Sequence, residues 1–488
     1  MTSEHSPELA ARAAQQHIVV VGGGIGGLVA ARECAKVGMR VTVLEATDAL
    51  GGSIRSAELD GIIVDVGAES FATRGGHVRA LVDELGLADA VVPPQGGAAW
   101  LSGIPDAPDA PLPVGSLLGI PANPFQEDVR RIIGWRGAWR AYVDRLRPPL
   151  TVGHERSLGK LVGSRMGARV RDRLVAPVTA GVYSADPDDV DTDVAAPGLN
   201  AALTRIGSLS GAVGLLAAER KGTAPGAAVL GLVGGMGRLV EALRAELISY
   251  GADVRTGTVA TRLDRDGDGW TVEIESPADE NPDATDATSL HATGVVVATA
   301  EPSARRLIDP HVAGLGEAGA APEIEIVTLL LDAPELDAAP RGSGVLTVPG
   351  SHTAKALTHS TAKWGWLRDR AAGRHLVRVS FGSQGEPAAT AALDDDAAAA
   401  LALSEASALL GVTLRPSQLL AAHRARHVQA QPSSLIGATE RRAAVRTAVK
   451  AIAGLAVVGA WVAGTGLAQV IPDAVAEADR LRGDLLWD

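Results

Sequence analysis

Apolar runs punctuated by glycine turns organise this chain. Ile18–Val21 is an unbroken apolar run, and Arg40–Leu44 is a second one. Such runs predict strands buried on both faces. Between them, over about Gly26–Val37, small and apolar residues run at helical length. His77–Leu87 is an amphipathic helix by its 3.6-residue spacing. From Phe125 to about Ala218 the pattern is mainly helical and rich in arginine, and Leu230–Leu247 is a glycine turn followed by a helix. Asp253–Leu263 and Gly269–Ser276 predict two strands around a DRDGDG hairpin, and Pro277–Thr288 an acidic loop. Gly294–Thr299 predicts another buried strand, ending in small residues; Glu323–Leu331 and His375–Phe381 are further strand-like runs. Gly454–Asp488 predicts a strand, a glycine loop and a helix. Ala451–Pro472 carries no charge, but Gly454, Gly459, Gly464 and Gly466 break it, so a buried strand and loop explain it better than a membrane span. The first 16 residues are polar and alanine-rich and predict a disordered leader.

The chemistry begins in the first turn. Gly22, Gly23, Gly24, Ile25, Gly26 and Gly27 follow a strand and open a helix, and Gly22, Gly24 and Gly27 fit G-x-G-x-x-G. The first glycine permits the tight turn, the second lets backbone approach a pyrophosphate, and the third lets helix and strand pack closely. The helix N-terminus adds free N–H groups and partial positive charge. Glu45 ends the second strand, where an acid accepts hydrogen bonds from a ribose. Ala46–Gly52 with Ser53 and Arg55, and then Gly61–Ser70, resemble the continuation found in flavoproteins and absent from most nicotinamide dehydrogenases. FAD is the expected cofactor. Flavoproteins of this kind often carry a base at or beside Ser53, and Arg55 is the nearest substitute.

Composition narrows the picture further. The 488 residues, 46% hydrophobic and 21% charged, suit a globular protein of two or three domains, or an interleaved pair. A net charge of −12 argues against nucleic-acid binding. Cys34 is the only cysteine, which excludes a disulfide framework and a cysteine metal site and fits a reducing cytoplasm. It reads as a small buried residue on the first helix. No metal site is expected. Only 3% of residues are aromatic.

Four segments carry a family resemblance: Pro111–Phe125 (PLPVGSLLGIPANPF), Leu174–Asp186 (LVAPVTAGVYSAD), Val233–Leu239 (VGGMGRL) and Gly459–Ile471 (GAWVAGTGLAQVI). They resemble the protoporphyrinogen/coproporphyrinogen oxidase family of FAD enzymes, within the amine oxidase superfamily. The chain is most like the coproporphyrinogen III oxidases of Gram-positive bacteria. The resemblance implies an α/β fold: an interleaved Rossmann-like FAD-binding domain (17–95, 225–300 and 450–488), a mainly helical subdomain facing substrate and membrane (96–224), and a mixed-sheet substrate domain (301–449), after the leader 1–16. It implies FAD contacts at the Gly22–Gly27 turn, Glu45, Ala46, Ser53, Gly67, Ala68, Glu69, Ser70, Val259, Thr465, Gly466 and Leu467. Where the family often has Trp and a P-x-Y, this chain has His427 and Pro432–Ser434; Trp461, Val462, Ala468 and Gln469 depart from the family's closing loop.

The activity so implied is oxidation of a porphyrinogen to a porphyrin in haem biosynthesis, with dioxygen as acceptor and hydrogen peroxide as product. A porphyrinogen tends to aromatise, so no catalytic acid or base is named. Arg169, Arg171, Arg173 and Lys363 are candidate partners for substrate carboxylates, although each also reads as a solvated surface cation, and Tyr183 as a candidate cavity wall. A ferrochelatase is the expected downstream partner. The expected location is the cytoplasm, peripheral at the membrane, with no integral span. Protoporphyrinogen IX oxidase, flavin amine oxidase and an inactive FAD-binding interaction protein remain the alternatives.

Overall fold

The computed structural model of the chain describes residues 5–146, 155–219, 229–275, 288–318, 323–428 and 434–487. The predicted acidic loop and Pro432 lie outside them, apart from Thr288 at the loop's end.

A five-stranded parallel sheet forms the first unit. Its strands run in the order Asp253–Arg255, Arg40–Leu44, His17–Val21, Gly294–Val297, Leu455–Val457. The chain therefore leaves this sheet and returns to it three times. Side chains alternate across it as strand geometry requires. Ile18, Val20, Val41 and Val43 pack with helices Ile25–Ala35, Gly237–Ser249 and Leu467–Trp487. Val19, Val21, Val295, Val297 and Val457 pack on the other side, against Trp270 and Val272 of a three-stranded antiparallel sheet. Both faces are covered, which is why the strands read as continuous apolar runs.

The second unit is a mixed seven-stranded sheet in the order Leu419–Val428, Glu323–Leu331, His375–Phe381, Ala356–His359, Gly344–Thr347, Trp100–Ser102, Ala110–Pro111. Neighbours are antiparallel except Gly344–Thr347 beside Trp100–Ser102. Val327, Leu329, Val377 and Val379 pack one face against helix Asp395–Leu410. A helical lobe follows in space, built on helices such as Glu127–Tyr142, Leu158–Met166, Ala176–Tyr183 and Leu199–Ile206 around its own core.

The structure corrects several expectations. Residues 5–15 are not a disordered leader: His5–Gln15 is a helix, with Ala13 1% exposed and Leu9 packed on the same core. Leu9 and Ala13 are one helical turn apart, so a short apolar stripe suffices to dock it. Trp100–Ser102 and Ala110–Pro111 lie inside the range predicted as mainly helical, yet they are edge strands of the mixed sheet. Helices Glu301–Ile308 and Ala438–Lys450 lie inside the predicted substrate domain, yet Ala304, Leu307, Val445 and Val449 pack on the parallel sheet. Pattern reading assigns elements well, but it cannot see which layer an amphipathic helix covers.

Among the described residues no single helix is long and apolar enough to cross a membrane. Helices Leu199–Ile206 and Leu209–Glu219 reach that length only together, and they bend by 119°. Ala451–Pro472 contains strand Leu455–Val457, the short helix Ala460–Ala463 and the start of the last long helix.

Candidate cofactor site and its surroundings

The three motif glycines differ in what surrounds them. Gly22 has φ +111°, and a Cβ there would lie 2.8 Å from the Ala298 carbonyl. A Cβ on Gly27 would lie 2.0 Å from the Gly22 oxygen and 2.9 Å from Ala298 Cβ. Both positions are closed by backbone. Around Gly24 the nearest atom to such a Cβ is Gly52 Cα, at 3.9 Å. Gly24 is thus glycine without crowding from the protein itself, and it opens onto a cleft of about 540 Å³. Gly22, Glu45, Ala46 and Val259 line the same cleft. A cradle that only a guest would fill, at a helix N-terminus, fits the pyrophosphate of a dinucleotide.

Glu45 is fixed for its role. Its Oε2 accepts from the Gly23 N–H at 2.8 Å, and its Oε1 from the Thr47 N–H and hydroxyl at 2.9 and 2.8 Å. One lone pair of Oε2 remains for a ribose hydroxyl. Arg55 donates to the Thr47 hydroxyl at 3.0 Å, which ties this cation to the same corner. Val259 is 41% exposed at the cleft mouth, immediately after Gly257 and Thr258 donate to the Thr47 and Glu45 carbonyls.

The second group of expected residues forms a stitched loop. Ala68 N–H donates to Ser53 O at 2.9 Å and Val66 N–H to Arg55 O at 2.9 Å. A Cβ on Gly67 would meet Ser53 O at 2.1 Å. The Gly51–Gly52 turn, in turn, bridges to Gly23 and Gly24. Glu69 lies between Lys363 Nζ at 2.5 Å and Arg378 Nη1 at 3.0 Å. Burial alone would raise its pKa, but the two cations hold it down at about 2. Arg378 also donates to Gly67 O at 2.5 Å, and half-buried His427 pairs with Val66 O at 3.2 Å. His427, which stands where the family often has Trp, therefore backs this loop through the backbone.

The closing segment approaches from the far end of the chain. A Cβ on Gly26 would lie 3.2 Å from Gly459, and Gly459 and Gly464 have φ of +111° and +113°. Leu467 opens the last helix and packs in the same hydrophobic cluster as Leu50 and Ala68. Thr465 and Gly466 precede it in the turn. So Gly22, Gly24, Glu45, Ala46 and Val259 of the expected residues line one cleft, while Ser53 follows the cleft-lining Gly52 and holds Ala68, and Leu467 packs in the same cluster as Ala68.

Three of the four candidate substrate cations have other duties. Helix Glu127–Tyr142 is interrupted at Gly134, and Arg169 and Arg173 donate to the freed Ile133 and Ile132 carbonyls at 3.0 and 3.2 Å. Lys363 serves Glu69, while Arg171 pairs at the surface with Asp172. Tyr183 is half-buried, and burial raises its phenol pKa. Cys34 is buried as expected, its thiol pushed up to about 12 by burial. Thr299, Ser303 and Arg306 carry no motif in the sequence, yet they line the cleft. The signal was available: strand Gly294–Val297 adjoins His17–Val21, and ligands bind beyond the carboxyl ends of such strands.

A parallel sheet with a glycine turn, an acid on its second strand and a mixed second sheet define the class as an oxidoreductase-type dinucleotide fold. The chain belongs to the flavin containing amine oxidoreductase family, whose sequence model matches residues 25–481. It is 30% identical to the coproporphyrinogen III oxidase of Mycobacterium leprae, over 96% of this chain and 98% of that one. It is 29% identical to the coproporphyrinogen III oxidase of Propionibacterium freudenreichii, covering 95% and 90%. Among solved structures, a candidate protoporphyrinogen oxidase from Exiguobacterium superposes with a TM-score of 0.82 at 22% identity, over 96% of this chain and 99% of that one. Putrescine oxidase superposes with 0.65 at 16% identity, over 97% and 99%.

Proposed function

We propose that this protein is an FAD-dependent oxidase that converts coproporphyrinogen III to coproporphyrin III in haem biosynthesis. The observation that carries this reading is the full-length likeness to coproporphyrinogen III oxidases, at matching chain length. Six electrons and six hydrogens leave the macrocycle in three steps, and three molecules of dioxygen become three of hydrogen peroxide. FAD, when bound, supplies the two-electron acceptor for each step. The chain's own contribution is to bind, orient and hold charge. The Gly22–Gly27 turn takes the pyrophosphate, Glu45 the ribose and Val259 the adenine side. Ser53, Gly67–Ser70 and Thr465–Leu467 flank the ring, and the N-terminal end of helix Leu467–Trp487 favours negative charge there. The parallel-sheet unit holds the cofactor; the mixed sheet and helical lobe enclose the substrate.

An amine oxidase would need facing aromatic rings around its amine. Among the described residues the close aromatic pairs are Phe125 with Trp135, Trp139 and Tyr142, and Trp139 with Tyr142, on the helical lobe, with ring contacts of Trp270 and His375 to histidines elsewhere. That lobe cluster supports a peripheral membrane position for a cytoplasmic enzyme. Trp135 and Trp139 are 60% and 59% exposed, Leu146 is 74% exposed, and Arg130 lies over Trp135 at 4.2 Å. Exposed tryptophans with arginines suit a lipid interface. A ferrochelatase would take the product.

The deciding experiment is anaerobic mixing of the flavin-loaded protein with coproporphyrinogen III, protoporphyrinogen IX, amines and a carotenoid precursor. Coproporphyrinogen III should bleach the flavin with the highest kcat/KM. A preference for protoporphyrinogen IX would overturn the substrate, and bleaching by neither would overturn the reaction. Sedimentation with anionic vesicles tests the membrane position: Trp135→Ala with Trp139→Ala should release the protein.

A further inference from the structure

Lys355 is a half-buried cation with no carboxylate partner among the described residues. On the mixed sheet, Ile326, Thr328, Ala356, Thr358, Arg378 and Ser380 share the face opposite helix Asp395–Leu410, by register and alternation. Arg378 reaches the Gly67–Glu69 loop from this face. Ile326, Ala356, Thr358 and Ser380 are only half-buried although they sit in inner strands. They therefore border open space. Helix Ala176–Tyr183 bounds the same space: a Cβ on Gly181 would lie 2.5 Å from Leu346, and Tyr183 is half-buried beside it.

Lys355 immediately precedes Ala356 of this face. It lies in the bend just before strand Ala356–His359, and its side chain reaches the C-terminal end of helix Ala176–Tyr183, the helix that bounds this space. Its Nζ donates to Ser184 Oγ at 2.5 Å, and among the described residues it has no carboxylate partner. Ser184 ends the helix in the left-handed conformation, with φ +55° and ψ +30°, and is 1% exposed. A left-handed serine costs about 1 kcal/mol; Gln384 N–H fixes it by donating to its carbonyl at 2.7 Å. Burial, with no opposing charge, pushes the Lys355 ammonium down to about 7. Another cation, Arg74, is close enough to this turn to affect the Tyr183 phenol. A half-buried ammonium with one neutral partner is poorly compensated, and an anion would complete it.

We propose that Lys355, held by Ser184, is a substrate-anchoring residue that pairs with one propionate of the porphyrinogen. This assignment rests on the porphyrinogen reading above. It differs from a merely structural lysine at a helix C-terminus, which would stabilise the helix and ignore the substrate.

The test uses the flavin-loaded full chain with Lys355→Met, Lys355→Arg and Ser184→Ala. Two quantities are read: KM and kcat for coproporphyrinogen III, and the Kd of coproporphyrin III from quenching of its fluorescence. Lys355→Met should raise KM and Kd roughly tenfold or more with kcat nearly unchanged, and Lys355→Arg should restore most of the loss. Ser184→Ala keeps the lysine but frees it, and should raise Kd about threefold; this arm stands if Lys355→Met fails to fold. Wild-type KM and Kd in Lys355→Met, or in Ser184→Ala when the former is unfolded, would overturn the assignment alone. A wild-type protein that neither oxidises coproporphyrinogen III nor binds coproporphyrin III would overturn the function and the assignment together.

Discussion

The glycine turn at Gly22–Gly27 and the ion-paired seam at Glu69 are neighbours held by opposite means. In the turn, Gly27 packs on the Gly22 carbonyl five residues away, and Ala298 and Gly459 close the turn with further backbone. In the seam, Glu69 meets Lys363 across 294 positions and Arg378 across a similar span. One region is a steric necessity written locally. The other is a charge balance assembled by the fold. Each should therefore break in its own way.

The largest effect belongs to the turn. Gly27→Val would place atoms inside the Gly22 carbonyl, and no side-chain adjustment relieves a backbone clash of 2.0 Å. This variant should fail to fold, or fold without flavin. Gly24→Val should behave differently, because the space beside Gly24 is free of protein. It should retain its circular dichroism spectrum while losing flavin at least a hundredfold, a cost of roughly 3 kcal/mol. Equal loss of fold in both variants would erase the distinction between a structural and a binding glycine.

The seam should yield next. Lys363→Met leaves Glu69 buried with one cation, and breaking a buried ion pair costs about 3–5 kcal/mol. The two partners are 20% and 13% exposed, so solvent screens them little, but Arg378 stays beside Glu69, so the lower figure applies. Thermal melting of the apo protein measures it. A Tm within about 0.5 °C of wild type, roughly 0.5 kcal/mol or less at this size, would show that Arg378 alone suffices.

These two regions also mark what was legible in the sequence. The apolar run, the glycines and Glu45 could be read because each constraint acts within a turn or two of chain. The strand–turn boundaries held for the same reason. Lys363 could be named as a cation, but not as the partner of Glu69, since pairing needs the return of a strand from the second sheet. Arg169 and Arg173 were read as possible substrate contacts; they instead serve carbonyls freed at Gly134, a break that spacing alone does not reveal. Lys355 carried no motif at all. Its interest lies in what is not near it, and only the fold shows that.

Asp65 and Glu69 sharpen the comparison through pH. Asp65 accepts from the Met236 N–H at 2.9 and 3.0 Å through its two oxygens, yet burial raises its pKa to about 6. A raised carboxylate favours the folded state when protonated. Its contribution is full below about pH 4 and is lost as pH rises to about 6, worth roughly 2–3 kcal/mol. Glu69, held at about 2, does the reverse: its contribution is full above its ordinary range near 4.5 and is lost as pH falls toward 2. Asp65→Asn should match wild type in Tm at pH 4 and exceed it above pH 6. Glu69→Gln should fall short at pH 6, with the deficit shrinking below pH 4. A pH-independent offset in either variant would show that the lost hydrogen bonds, not the charges, matter.

The smallest effect should come from returning a cation to the turn itself. Ser53 is exposed, its carbonyl holds Ala68, and among the described residues its side chain makes no hydrogen bond. Ser53→Lys therefore leaves the stitched loop intact and adds only charge. Arg55 already sits at the Thr47 corner, so the added cation would partly duplicate it. An exposed charge interaction is worth about 0.2–1 kcal/mol and is screened by salt. Flavin should bind no more than about fivefold tighter at low ionic strength, and the gain should disappear in molar salt. The test is a flavin titration at two salt concentrations in wild type, Ser53→Lys and Arg55→Ala. Were Ser53→Lys to tighten binding by orders of magnitude, Arg55 would not be standing in for the missing base. The turn would then depend on side-chain charge as heavily as the seam does, and the contrast between the two regions would collapse.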